Sequence, residues 1–187
     1  MKSVDTLWFQ STQATQAAEQ AYHRLLDRFD PDVEFERTRR VPKHRYRMLV
    51  ERINRSGTPY GAHTIVRRPD GSILLVRHEG VDLWVLPGGE VGDRESIRAG
   101  AERELAEEAG IDAAYEGLAI MTTVHLRCGE YETKGVLPVF SAKATATETT
   151  VADPDGEISA AKWFDTLPPD TRDRDDLLAW LSTIGDV

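Results

Sequence analysis

The chain has 187 residues, 40% hydrophobic and 29% charged, with a net charge of −9 and one cysteine, Cys128. That length suits one domain with a small extension, and the apolar share is enough for a core. An internal disulfide is excluded, no apolar run approaches the ~20 residues of a membrane span, and the acidic balance argues against a surface given over wholly to nucleic acid. The N-terminus shows no signal-peptide pattern, so a cytoplasmic protein is expected. Arg outnumbers Lys 18 to 5, a lysine-poor acidic balance compatible with a high-salt cytoplasm. Cys128 reads as a half-buried small hydrophobe rather than a nucleophile.

Residues 5–30 read as an amphipathic helix. Leu7, Ala14, Ala18, Ala21, Leu25 and Phe29 recur at helical spacing, and Pro31 stops it. The alanine stripe predicts close packing on the rest of the chain; a homodimer through it is the alternative. Residues 37–55, RTRRVPKHRYRMLVERINR, hold eight Lys/Arg and one Glu, so this segment is +7 and the remainder −16. Pro42 can open a helix and Gly57 close it, with Tyr46, Leu49, Val50 and Ile53 inward. The basic island is either neutralised by the acidic body or turned toward phosphates or RNA.

From residue 60 the pattern shortens into strands. AHTIVRR and SILLVRH flank PDG, a hairpin signal. LWVLP is a further strand ended by Pro87, followed by the Gly88–Gly89 loop. VHLRCGEYETKGVLPVFSAKATA predicts two strands around Gly129, EISAAKWFDT another, and TRDRDDLLAWLSTI a closing helix. Strands mixed with a central and a terminal helix predict a mixed α/β domain.

The central helix is predicted over about 94–109, with Asp93 as N-cap, Glu95 in its first turn and Gly110 as a left-handed terminator. At about 100° per residue, Glu104 and Glu108 fall in or beside the apolar stripe of Ile97, Ala101 and Leu105, and Glu107 lies close by. Two carboxylates ~6 Å apart at a half-buried edge repel by about 3 kcal/mol at an effective dielectric of 20. Unless compensated, one takes up a proton. A divalent cation removes the conflict, because carboxylate oxygens are the ligands Mg2+ prefers. Arg103 can orient a carboxylate or meet a phosphate. Clustered acids beside a glycine loop thus read as a metal site for a phosphate substrate.

The spacing goes further. Residues 89–111 read Gly89, five residues, Glu95, seven residues, Arg103-Glu104-Leu105-x-Glu107-Glu108-x-Gly110-Ile111. This resembles the Nudix hydrolase signature, G-x5-E-x7-R-E-U-x-E-E-x-G-U with U apolar, at every defining position. The resemblance covers roughly 60–165; residues 1–57 lie outside it.

The resemblance implies an α/β/α sandwich with a mixed β-sheet over 58–187. Residues 1–57 form an N-terminal helical extension carrying the basic segment 37–55. It implies hydrolysis of a phosphoanhydride in a nucleoside diphosphate linked to another moiety, with Mg2+ or Mn2+. Carried over by motif position, Glu104, Glu107 and Glu108 are metal ligands with the Gly88 carbonyl a further one, Glu104, Glu107 and Arg103 act in catalysis, and Gly89, Glu95 and Gly110 shape the motif. For the general base, Glu157 and, in the loop between the two strands, Glu130 or Glu132 are candidates beside the motif glutamates, and His63, His78 and His125 are further ones. An anionic protein needs a local cationic patch for an anionic substrate, and Arg39, Arg40 and Lys43 are expected to supply it. Trp84 and Trp163 are expected in the core, and Tyr60 or Tyr131 is a candidate to stack on a base.

The expected partner is a nucleotide-type small molecule, with nucleic acid a weaker expectation and no membrane. Three rivals within the resemblance remain: an enzyme acting on RNA 5′ ends, a nucleotide-binding regulator without turnover, and an isoprenyl diphosphate isomerase, for which no cysteine–glutamate pattern is seen. The intact motif argues against the regulator. Subfamily markers do not choose a substrate: Leu126 stands where an ADP-ribose enzyme would carry proline.

Overall fold

A computed structural model describes residues 6–185; the start of the first predicted helix at Asp5 and the last two positions lie outside the described residues. Helix α1 runs Thr6–Leu26, shorter than expected at its C-terminal end, and buries Leu7, Ser11, Ala14, Ala18, Ala21 and Leu25. Its alanine side lies against the rest of the chain, on α2 (Lys43–Ser56) and on strand β7 (Tyr131–Ala144). Pro42 occupies the N-cap of α2 and Gly57 its left-handed C-cap, and Tyr46, Leu49, Val50 and Ile53 are at most 1% exposed. Proline at the entry costs no hydrogen bond, and glycine at the exit accepts the left-handed turn without a Cβ clash.

Between them lies a strand the sequence did not signal. β1, Val33–Arg40, pairs in parallel with β6, Ala113–Cys128, from Val33 opposite Ile120 to Arg40 opposite Arg127. Five of its eight residues are charged, which suppresses the strand pattern while suiting a sheet edge that must resist pairing with other chains. The extension therefore supplies a strand as well as helices.

The sheet runs β1–β6–β7–β2–β3–β4, with β5 (Gly88–Gly89) on β2 (Ala62–Arg67) and β8 (Ile158–Phe164) on β3 (Ile73–His78). β2 and β3 form the expected antiparallel hairpin, closed at Arg67–Ile73, and β4 (Leu83–Val85) pairs with β3. β2 runs parallel to β7, and β1 parallel to β6, so the sheet is mixed. β6 begins eleven residues before the predicted strand at Val124 and is bulged at Tyr115–Gly117 and Leu118–Ile120. These interruptions break the period-two alternation on which a strand is read.

Helices cover the sheet from two directions. Helix α4, Arg174–Thr183, packs Leu177 and Trp180 against Ile65, Leu75, Ile120 and Val139. Helix α3, Ile97–Ala109, packs Leu105 and Ala109 against Val66, Leu74 and Val76, while Ala101 meets Ala21 and Leu25 of α1 with Ala62 and Phe140. The three-layer α/β/α arrangement follows, and it pins the Gly88–Gly89 loop between β2 and α3. Among the described residues no helix is long and apolar enough to cross a membrane.

Candidate active site

The loop is built by close backbone approach. Gly88 and Gly89 pair with His63 and Ala62 of β2. A Cβ at Gly88 would stand 2.4 Å from the Ala62 carbonyl oxygen, and one at Gly89 2.7 Å from the Glu104 carboxyl carbon. Glycine here is a requirement for bringing the helix carboxylates onto the loop.

Two details of the predicted helix are corrected. α3 starts at Ile97, and its N-cap is Ser96, whose Oγ accepts from the Ala99 N–H at 3.1 Å. Asp93 does not cap; it is exposed and lies 3.5 Å from Arg55. Glu95 precedes the helix rather than sitting in its first turn. Its carboxylate accepts from the Gly92 N–H at 2.6 Å and from Arg103 at 2.7 and 3.2 Å. The guanidinium of Arg103 holds the Glu95 carboxyl below the usual range, with the Gly92 N–H assisting.

Arg103 is the hub. It donates to Glu104 Oε1 at 2.7 Å, to Glu107 Oε2 at 3.3 Å, to both Glu95 oxygens and to the Glu90 carbonyl at 2.9 Å. The charge of the guanidinium is reinforced, chiefly by Glu95. Only arginine offers enough planar donors for four partners at once.

Glu108 is 8% exposed and accepts the Gly88 N–H at 2.8 Å. Burial pushes its carboxyl up to about 8 despite that bond, and the charges of Glu104, Asp153 and Glu157 add to the rise. Glu104 is also raised by burial, with Arg103 pulling the other way and Glu107 and Asp155 adding to the rise. The repulsion expected from the helical spacing is therefore present and only partly answered by Arg103.

Among the described residues no three His, Cys, Asp or Glu side chains converge as a metal-binding set. The reason is visible in the hydrogen bonds: Glu104 and Glu107 turn to Arg103, while Glu108 turns to the loop N–H. The donor chemistry nevertheless fits a hard dication. The oxygens are carboxylate, they outnumber the cations beside them, and burial leaves Glu108 a carboxyl whose charge is unmet. It is the Gly88 N–H, not its carbonyl, that reaches Glu108.

A second acidic segment, 153–157, faces this cluster and was not assembled from the sequence beyond Glu157. Glu157 lies 3.3 Å from His78 Nε2, and its charge is felt at Glu108. Asp153 shapes the turn by accepting the N–H groups of Asp155, Glu157 and Ile158. The DPDG sequence carries the turn signal that could have revealed it.

Other candidates scatter. Glu132 pairs with Arg127 at 3.9 Å and Glu130 sits in the exposed β6–β7 turn. His125 stands opposite Lys134 in the β6–β7 ladder. His63 abuts Gly88; its Nδ1 is buried without a partner, and burial lowers its pKa to about 4, with Arg172 lowering and Asp173 raising it. Trp84 and Trp163 pack against the core from partly buried positions. Of the cationic set, Arg39 lies over the Tyr60 ring at 5.0 Å and 3.9 Å from Asp173, Lys43 lies over Tyr131 at 5.2 Å, and Arg40 is exposed. Much of the basic segment is answered by acids: Arg37 pairs with Asp176, and Arg52 and Arg55 with Glu90.

Comparison with known proteins gives the chain a family. The model of the NUDIX domain matches residues 57–181. A Bacillus subtilis (strain 168) protein named as a candidate 8-oxo-dGTP diphosphatase is 48% identical over 54 residues, 29% of this chain and 36% of its own length. Nudix hydrolase 5 of Arabidopsis thaliana is 30% identical over 109 residues, 56% of this chain and 35% of its own. The chain thus spans about a third of the curated relatives it matches. The crystal structure of MutT protein from Methanosarcina mazei Go1 shares the fold, with a TM-score of 0.50 at 24% identity, over 66% of this chain and 93% of that one.

Proposed function

Since the chain belongs to the NUDIX family, we propose that it is a divalent-metal-dependent pyrophosphohydrolase, cleaving a phosphoanhydride in a nucleoside diphosphate linked to another moiety. One observation carries this reading: Glu104 and Glu108 lie against the Gly88–Gly89 loop, with Glu107 and Glu95 on Arg103 beside them, and these acids outnumber the one guanidinium that answers them. The relatives, one named as a candidate 8-oxo-dGTP diphosphatase and one as a Nudix hydrolase, point the same way.

In this reading Glu104, Glu107 and Glu108, with the Gly88 carbonyl, hold Mg2+ or Mn2+. When bound, that ion supplies Lewis acidity toward the diphosphate and an acidified water. The chain supplies the rest. Gly88 and Gly89 let strand β2 and the Glu104 carboxylate close onto the loop backbone. Arg103, anchored by Glu95, orients Glu104 and Glu107 through its hydrogen bonds to both. Glu157, oriented by His78, takes the proton from the attacking water. Arg39, Arg40 and Lys43 offset the anionic surface for an anionic substrate. Residues 58–187 form the catalytic unit and 1–57 an extension docked on it.

The rival reading, an enzyme acting on RNA 5′ ends, draws on the exposed Arg40 and on Lys43 beside Tyr131. Nucleoside triphosphates, nucleotide sugars, ADP-ribose and capped RNA, each assayed with Mg2+ for released phosphate or pyrophosphate, test both. Turnover of none of them, with no Mg2+ or Mn2+ uptake by calorimetry, removes the hydrolase reading.

A further inference from the structure

Residues outside the family match hold the loop against which the helix carboxylates lie. Arg52 Nη2 lies 3.1 Å from Glu90 Oε2, Arg55 Nη1 3.1 Å from Glu90 Oε1, and Arg55 Nε 3.5 Å from Asp93 Oδ1. Both carboxylate oxygens of Glu90 are thus engaged from α2. The carbonyl of the same residue accepts from Arg103 at 2.9 Å, and Arg103 holds Glu95, Glu104 and Glu107. Glu90 is the junction: its side chain is gripped from the extension and its backbone from the catalytic helix.

The grip has a rigid base. Arg52 and Arg55 are three apart on a helix whose other side is buried at Tyr46, Leu49, Val50 and Ile53. The helix ends at Gly57, whose carbonyl accepts the Val136 N–H at 3.0 Å. A single exposed ion pair contributes little. Here two guanidinium groups share one carboxylate at the end of a fixed helix, so the pairs define where the loop stands rather than how stable the fold is. The family match begins at residue 57, so the device belongs to this chain's own extension.

We propose that Arg52 and Arg55 are positioning residues for the hydrolytic site, acting through Glu90 to fix the Gly88–Asp93 loop against Arg103 and the carboxylates. The proposal rests on the hydrolase reading for its catalytic effect but not for its structural one.

The test pairs kinetics with amide hydrogen exchange on the full chain. R52A/R55A is expected to lower kcat at least about tenfold, as supporting contacts around metal sites do, with KM within about twofold of wild type. R52K/R55K restores most of the rate. E90Q reproduces the loss, and the triple variant R52A/R55A/E90Q is no worse, because the three residues act as one unit. Amides of residues 89–93 exchange at least about tenfold faster in R52A/R55A and E90Q, with the melting temperature unmoved. Additive losses from the arginine and Glu90 changes, or unaltered exchange in the loop, overturn the proposal. If the wild type turns over no nucleotide, the hydrolase reading falls separately, and the exchange data alone decide whether α2 fixes the loop.

Discussion

The backbone N–H of Gly88 donates to Glu108 Oε2 at 2.8 Å, tying the loop to the helix through a side chain only 8% exposed. Glu108→Gln keeps an oxygen for this bond and removes a carboxyl whose charged form burial disfavours. In the absence of metal the variant is expected to melt no lower than the wild type, while Mg2+ uptake by calorimetry disappears and turnover falls about a hundredfold or more. A lower melting temperature with turnover intact would mean that the carboxylate serves the fold and not the chemistry.

His63 gives a pH signature. Its folded pKa is depressed from 6.5 to about 4, mainly by burial. Between these values the unfolded chain binds a proton that the native state refuses, so stability falls as the pH drops from about 6.5 to about 4. The full effect is about 3 kcal/mol at about 1.4 kcal/mol per pH unit. Urea unfolding at pH 7 and pH 4.5 should show a steeper decline for wild type than for His63→Gln. Parallel declines would refute this.

Glu157→Gln tests the general base. Loss of a base in this position is expected to reduce kcat by about 10²–10⁴, with KM little changed. Mg2+ binding should be little changed, because the proposed ligands are Glu104, Glu107, Glu108 and the Gly88 carbonyl. An unchanged kcat would return the role to a motif glutamate.

Arg39, Arg40 and Lys43, changed together to Ala, should raise KM with little change in kcat, since their proposed role is in the encounter with an anion and not on the bond that breaks. The effect should shrink as salt is raised, because exposed charges are screened. Steady-state kinetics at two ionic strengths checks both points.

Gly57→Ala combines two penalties. The residue has φ +83°, and a Cβ there would stand 2.4 Å from the Ala21 Cβ. Loss of about 1–3 kcal/mol is expected from the strained backbone and the α1–α2 clash, measurable as a lowered urea midpoint. Equal stability would mean that α1 can move aside.

The parts legible in sequence were those written in spacing. The Gly89-to-Ile111 positions, the inward face of α2 and the β2–β3 hairpin depend on period and turn chemistry, which a single chain displays. β1 was hidden because its residues are charged at an edge, and the first half of β6 because its bulges break alternation. The helix start was misplaced because Asp93 and Ser96 are both good caps, and the choice between them lies with Arg55 and Arg103, which compete for the loop acids through space. Contacts such as Arg52–Glu90 and Glu157–His78 join segments far apart in the chain, so no local pattern could announce them.

The parallel ladder between β1 and β6 carries one more implication. A polypeptide trimmed to begin at residue 57 would uncover eight consecutive rungs of β6, from Ile120 to Arg127. Unsatisfied backbone groups along such a flank recruit other chains. Shortening this protein to the part shared with its relatives should therefore yield clumping material in place of a smaller enzyme.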